Sequence, residues 1–369
     1  MNILNIKSLN IKSSNIKSLN IKSSLLPVAA LVLLAAAPTG AAPANTPNYH
    51  LLQKVVLGGE GGWDYLLVDP DARRLYISRG SHVMVVDADS EKVVGDIPNT
   101  NGVHGIAIAP KLGRGFTSNG RDNTVTIFDL KTLKTITTVP LGSGIGPDCI
   151  VYEPKTQRVF TFNGRSNDAT AIDAVTGKVL ATLPLGGRPE FAAADGAGMV
   201  YDNLESTSEI VAIDASALTL KSRWPVAPQE SPSGLAIDPK TSRLFSVCDN
   251  NKMVISSGAA GKVESTAGIG AGPDAAGFDP GTGLAFSSNG QDGTLTVLRQ
   301  QNVAIGPKSY NIYAPVQSVS TQAGARTMAV DTKTHRVFLV TATPDPVSPG
   351  EGRRRNYVPG SFTLLVVGQ

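Results

Sequence analysis

Aromatic residues make up only 5% of this 369-residue chain, which has four histidines and two cysteines. With His50, His82, His104 and His335 scattered singly, a copper or haem centre built from several imidazoles is not expected. Cys149 and Cys248 show no zinc spacing. They fall in non-adjacent repeats, too far apart for the short Cα separation of a disulfide, so both are expected as buried small hydrophobes. There is no G-x-S-x-G elbow, C-x-x-C-H haem attachment, H-E-x-x-H pair or P-loop. A long helical pattern is also missing, and beyond the first 44 residues there is no extended apolar run.

Charge of one sign is lacking too. The formal net charge is +3, but Lys7, Lys12, Lys17 and Lys22 lie in the first 44 residues, which hold no acids. Without that segment the balance falls to −1, and no basic stripe remains to draw in a nucleic acid. The segment itself has four NIKS units, then LLPVAALVLLAAA, then Ala42-Pro43-Ala44. That order of lysines, apolar run and small residues reads as a secretory signal over residues 1–44, with cleavage after Ala44. The run is too short and Ala-rich to span a membrane comfortably. The expectation is a periplasmic or secreted protein, residues 45–369, with no stable membrane span.

What the chain has in abundance is a repeat. The stretch GIAIAPKLGRGFTSNGRDNTVTIFDLKTLKTITTV, residues 105–139, holds four short β-patterned segments separated by turn residues. Related stretches begin at Trp63, Pro147, Arg188, Ser233, Pro273 and Ala325, giving seven copies. The turn prolines Pro70, Pro110, Pro154, Pro239 and Pro280 are spaced 40, 44, 85 and 41 residues apart, the 85 covering two repeats. A four-stranded period near 40 predicts an all-β, seven-bladed β-propeller forming a single domain. The seventh repeat lacks a fourth strand, and Leu51–Leu57 precedes the first repeat without strands of its own. Pairing of that segment beside 362–367 would close the ring and remove two sheet edges.

The tags LYISRGSHVMVVD (75–87), GFTSNGRDNTVTIFD (115–129), VFTFNGRSNDATAID (159–173) and AFSSNGQDGTLTVL (285–298) carry a family likeness. Through them the chain resembles the YVTN-type β-propeller repeat family, which includes YncE-like exported proteins. The resemblance implies an exported binding or interaction module, expected to be a monomer, with a small molecule or protein as partner.

Reading the repeats column by column separates scaffold from site. Asp87, Asp129, Asp173 and Asp214 end the third strands and have a sufficient role in the turns that follow. The start of each first strand instead gives Asp64, His104, Asp148, Glu190, Ser233, Asp274 and Thr327, side chains expected to crowd one mouth of the central channel. Arg79, Arg121, Arg165, Arg188 and Arg326 are expected around them on the same face, balancing the acids or binding an anionic part of a ligand. An insertion in the seventh repeat, with Arg353, Arg354, Arg355 and Tyr357, is a candidate lid over that mouth. Asp64, His104, Asp148, Glu190 and Asp274 also offer a ligand set for a hard divalent cation such as Ca²⁺. Two functions fit: ligand or protein binding at the channel mouth, or metal-assisted hydrolysis or lyase chemistry of a lactonase-like kind. No spacing favours a Ser-His-Asp triad.

Overall fold

The second and third strands of each repeat carry mostly apolar or small hydroxylated residues on both faces, a pattern that suits cover from both sides. In the computed structural model, which describes residues 46–347 and 356–369, neighbouring blades supply that cover. Seven four-stranded antiparallel sheets form, and seven apolar clusters lie between successive sheets. Phe116, Val125 and Ile127 of blade 2, for example, pack against Ile150, Val159 and Ile172 of blade 3. Fourth strands such as Thr135–Pro140 lie at the rim and are largely exposed.

The ring closes with its two chain ends in one blade. His50–Val56 pairs antiparallel with Thr363–Gly368, followed inward by Arg336–Thr341 and Met328–Asp331. This matches the sequence expectation to within a residue at each boundary. Tyr49 reinforces the join, exchanging hydrogen bonds between its backbone and the Gln317 side chain (3.0 and 2.7 Å). Arg73 of blade 1 pairs with the buried Asp331 of blade 7 at 2.7 Å.

Blade 6 departs from the repeat in a way the sequence reading did not anticipate. Its third and fourth strands, Thr294–Ile305 and Lys308–Ser320, extend as a ribbon well beyond the usual six or seven residues. Tyr313 anchors this ribbon edge-on against Phe245 of blade 5, with ring centroids 4.7 Å apart.

One irregularity positions the channel mouth. In blades 2 to 6 the register between first and second strands shifts at the strand start, between Val103 and Ile106, Pro147 and Ile150, Pro189 and Ala192, Pro232 and Leu235, and Pro273 and Ala275. His104, Asp148, Glu190, Ser233 and Asp274 fall inside these bulges. A bulge releases a residue from ladder pairing and re-aims its side chain.

Candidate ligand site at the channel mouth

Asp64, His104, Asp148, Glu190, Asp274, Arg326 and Thr327 line one cavity of about 200 Å³, together with Tyr65, Leu66, Phe191, Ala275 and Met328. The polar residues form an alternating chain across five blades. Arg326 Nε donates to Asp274 Oδ2 at 2.7 Å, and its Nη2 lies 3.7 Å from Asp64 Oδ1. His104 Nδ1 is 2.6 Å from Asp64 Oδ2 and 3.6 Å from Asp148 Oδ1. On the next blade, Arg188 reaches Glu190 at 3.7 Å and also pairs with Glu205.

These contacts set the protonation of His104. Burial opposes its charge, but the hydrogen bond to Asp64 and the fields of Asp148, Asp64 and Glu190 outweigh burial and raise its pKa to about 9. At neutral pH it is an imidazolium. Counting formal charges on the cavity lining, four carboxylates against Arg326 and protonated His104 leave a balance of −2.

Two aromatic rings share the lining with the charged groups. The Tyr65 and Phe191 rings stack at 4.8 Å with an interplanar angle of 28°. Tyr65 comes from blade 1 and Phe191 from blade 4, and the Tyr65 hydroxyl donates to the Glu190 carbonyl at 2.8 Å, so the pair is fixed from both sides of the channel. The sequence reading missed both rings. Their signal was the column after the ring residues, which reads Tyr65, Gly105, Cys149, Phe191, Gly234, Ala275 and Met328. Two large flat side chains stand there among mostly small ones.

A second missed residue is Asp202. It is fully buried, and neither carboxylate oxygen has a hydrogen-bond partner among the described residues. Burial first, then the charges of Glu190 and Asp148, push its pKa well above the usual carboxylate range. The strand register places it in the column of Thr117, Thr161 and Ser246. An acid in a hydroxyl column was the available clue.

The expected arginines divide. Arg188 and Arg326 join the acids, while Arg121 and Arg165 are exposed and line a wider depression of about 520 Å³ that shares Asp64 and His104 with the inner cavity. Arg79 does not surround the acids. It is 1% exposed and donates to the carbonyls of Gly58, Glu60, Gly61 and Gly62 at 2.9 to 3.2 Å, with its guanidinium 3.6 Å over the Phe362 ring. Burial lowers its pKa to about 10. The reason is phase. Leu66 pairs Ile77 as Ile106 pairs Thr117, so Arg79 occupies the buried column of Asn119, two residues before that of Arg121. Gly61 lets this cage form, since at φ +91° any Cβ would lie 2.5 Å from the Arg79 carbonyl oxygen.

Of the candidate lid, Arg353, Arg354 and Arg355 lie outside the described residues. Tyr357 packs against Trp63, the neighbour of Asp64, with centroids 4.8 Å apart. One ligand atom each from Asp64, His104 and Asp148 lies within 4.8 Å of the others, whereas Glu190 and Asp274 do not join this group. Cys149 and Cys248 are buried and unpaired. No helix among the described residues is long and apolar enough to cross a membrane.

No family model matches the chain, and no curated protein matches its sequence. Its structure does have solved counterparts. It is similar to Kuenenia stuttgartiensis hydrazine synthase with a TM-score of 0.67 over 83% of this chain and 95% of that one, at 14% sequence identity. At that identity the likeness shows the fold alone, a seven-bladed β-propeller.

Proposed function

We propose that this propeller is an exported binding module whose channel mouth holds the cationic group of a small ligand. The carrying observation is the cavity lining: a formal balance of −2 in a cavity that the Tyr65 and Phe191 rings also line. Carboxylates attract a cation by charge, and aromatic faces attract it through the ring quadrupole. Thr327 adds a nearby unpartnered group: it lines the cavity, is 6% exposed, and its Oγ1 has no partner among the described residues. The leader sequence supports export, and the repeat tags support placement beside YncE-like proteins. N-terminal sequencing of the native protein tests export, with Asn45 as the expected first residue.

A second reading is favoured by the Asp64, His104 and Asp148 group, which would suit a hard divalent cation such as Ca²⁺ and, with it, hydrolase or lyase chemistry. It carries a cost. A metal at His104 must displace a proton held with a pKa of about 9, weakening apparent affinity about 100-fold at pH 7. Calorimetric titration separates the readings. The binding-module reading expects tetramethylammonium to bind with little proton exchange and Ca²⁺ to bind weakly. Tight Ca²⁺ binding with release of one proton would favour the metal site instead.

A further inference from the structure

The mouth holds a second chemistry that the cation reading leaves unused. Arg121 and Arg165 occupy equivalent places in blades 2 and 3, and among the described residues no hydrogen bond or ion pair engages either guanidinium. Their backbones are held alike. Gly120 N donates to Gly102 O at 2.8 Å, and Gly164 N to Gly146 O at 2.9 Å. Gly102 and Gly146 both have positive φ, and a Cβ at either would lie 2.7 Å from an atom of the neighbouring arginine. The crossing loops thus present two unengaged guanidiniums beside an acidic centre, although Arg188 and Arg326 on the same face are tied to acids.

Volume separates the two regions. The inner cavity of about 200 Å³ is smaller than the roughly 300–1,000 Å³ of ordinary small-molecule sites, so a ligand larger than a headgroup extends out of it. The outer depression of about 520 Å³ receives the remainder, and Asp64 and His104 line both. A ligand with its cation in the inner cavity and its remainder in the outer depression passes Asp64 and His104, which line both, toward Arg121 and Arg165. Guanidinium forks suit a carboxylate or a phosphate. A free anion alone gains less, because the acids beside it repel it.

We propose that the ligand is a zwitterion, with its ammonium group in the inner cavity and its carboxylate or phosphate held by Arg121 and Arg165. This inference rests on the cation reading of the mouth, and one probe series tests them separately. Calorimetry on the purified protein would compare tetramethylammonium, acetate, inorganic phosphate, glycine betaine and phosphocholine. At least one zwitterion should bind ten-fold or more tighter than tetramethylammonium, and acetate and phosphate should bind more weakly than either zwitterion. The tighter zwitterion identifies the anion as carboxylate or phosphate. In the double variant Arg121→Ala/Arg165→Ala, zwitterion affinity should fall at least ten-fold while tetramethylammonium binding is kept. Both arginines are exposed, so folding should persist, and thermal melting checks it. If tetramethylammonium binds but the zwitterions gain nothing, or the double variant leaves them unchanged, the zwitterion inference fails alone. If no cationic probe binds the wild type, the cation reading fails and takes the inference with it.

Discussion

The two faces of this propeller treat charge in opposite ways. On the face away from the mouth, charged residues recur blade by blade and are satisfied locally. Asp129 accepts from the backbone of Lys131 and Thr132, and Asp173 from Val175 and Thr176, at 2.7 to 3.1 Å. Arg74, Arg114 and Arg158 each reach carbonyls of the following blade. At the mouth the residue type of the ring column changes from blade to blade, and its charged side chains pair with one another instead of with the backbone of the next turn. A side chain kept through most blades serves what every blade needs. One present in only one or two blades, such as His104 or the Arg121 and Arg165 pair, is free to serve a ligand.

The difference is sharpest when the scaffold is attacked first. Deleting residues 46–56 removes the outer strand of the closing blade and exposes Thr363–Gly368 as an edge. Thermal melting should fall further than for any substitution below, and light scattering should reveal association.

Next comes Arg79, which lies at the mouth in sequence but behaves as scaffold. Arg79→Ala empties the space of a fully buried guanidinium that ties four carbonyls of residues 58–62 and should cost roughly 3 kcal/mol in urea unfolding, with Arg121→Ala within about 0.5 kcal/mol of wild type. Equal effects would erase the distinction between the two arginines.

Asp202 tests the reverse case, a mouth-side acid that harms the fold. Because its carboxyl is buried without a partner among the described residues, Asp202→Thr, which restores the residue type of Thr117 and Thr161, should raise stability at pH 7 by about 2 kcal/mol. A loss of stability would mean that the acid is engaged by a bound group.

A smaller effect is expected from pH, because the His104 side chain is 38% exposed and solvent screens its ion pairs. The pKa of His104 is near 9 in the folded chain, above the 6.5 of a free imidazole, so the folded state keeps a proton that the unfolded chain releases. Its stabilising contribution is therefore complete below pH 6.5 and is lost as pH rises through 9. His104→Gln should flatten the melting profile across that window, as followed by thermal scans from pH 6 to 10.

Much of the fold was legible because it is periodic. The turn prolines gave the blade count, and the strandless Leu51–Leu57 segment gave the closure. The ribbon of blade 6 escaped because the polar run Arg299-Gln300-Gln301-Asn302 breaks the apolar alternation of its third strand, although no turn signal comes before Gly306-Pro307. At the site, the acids and His104 were legible as one column of the repeat. Arg79 was misplaced because the Arg-Gly of blade 1 was aligned with the turn arginine of blade 2; in register Arg79 stands at the buried strand end with Asn119, two residues before the exposed turn that carries Arg121. Tyr65 and Phe191 went unread because aromatic residues in a β-protein are first assigned to the core.

The most direct test sets one residue from each face side by side. Glu153 is fully buried away from the mouth, accepting from Lys155 N, Thr156 N and the Thr156 hydroxyl at 2.6 to 3.1 Å, and Asp148 lines the cavity. Tetramethylammonium titration and urea unfolding would be run on Glu153→Ala and Asp148→Asn together. Glu153→Ala should lose about 2 kcal/mol of stability and bind as the wild type does, whereas Asp148→Asn should keep its stability within about 1 kcal/mol and bind at least ten-fold more weakly. Unchanged binding in Asp148→Asn, or binding lost in a folded Glu153→Ala, would contradict the assignment of ligand recognition to the mouth.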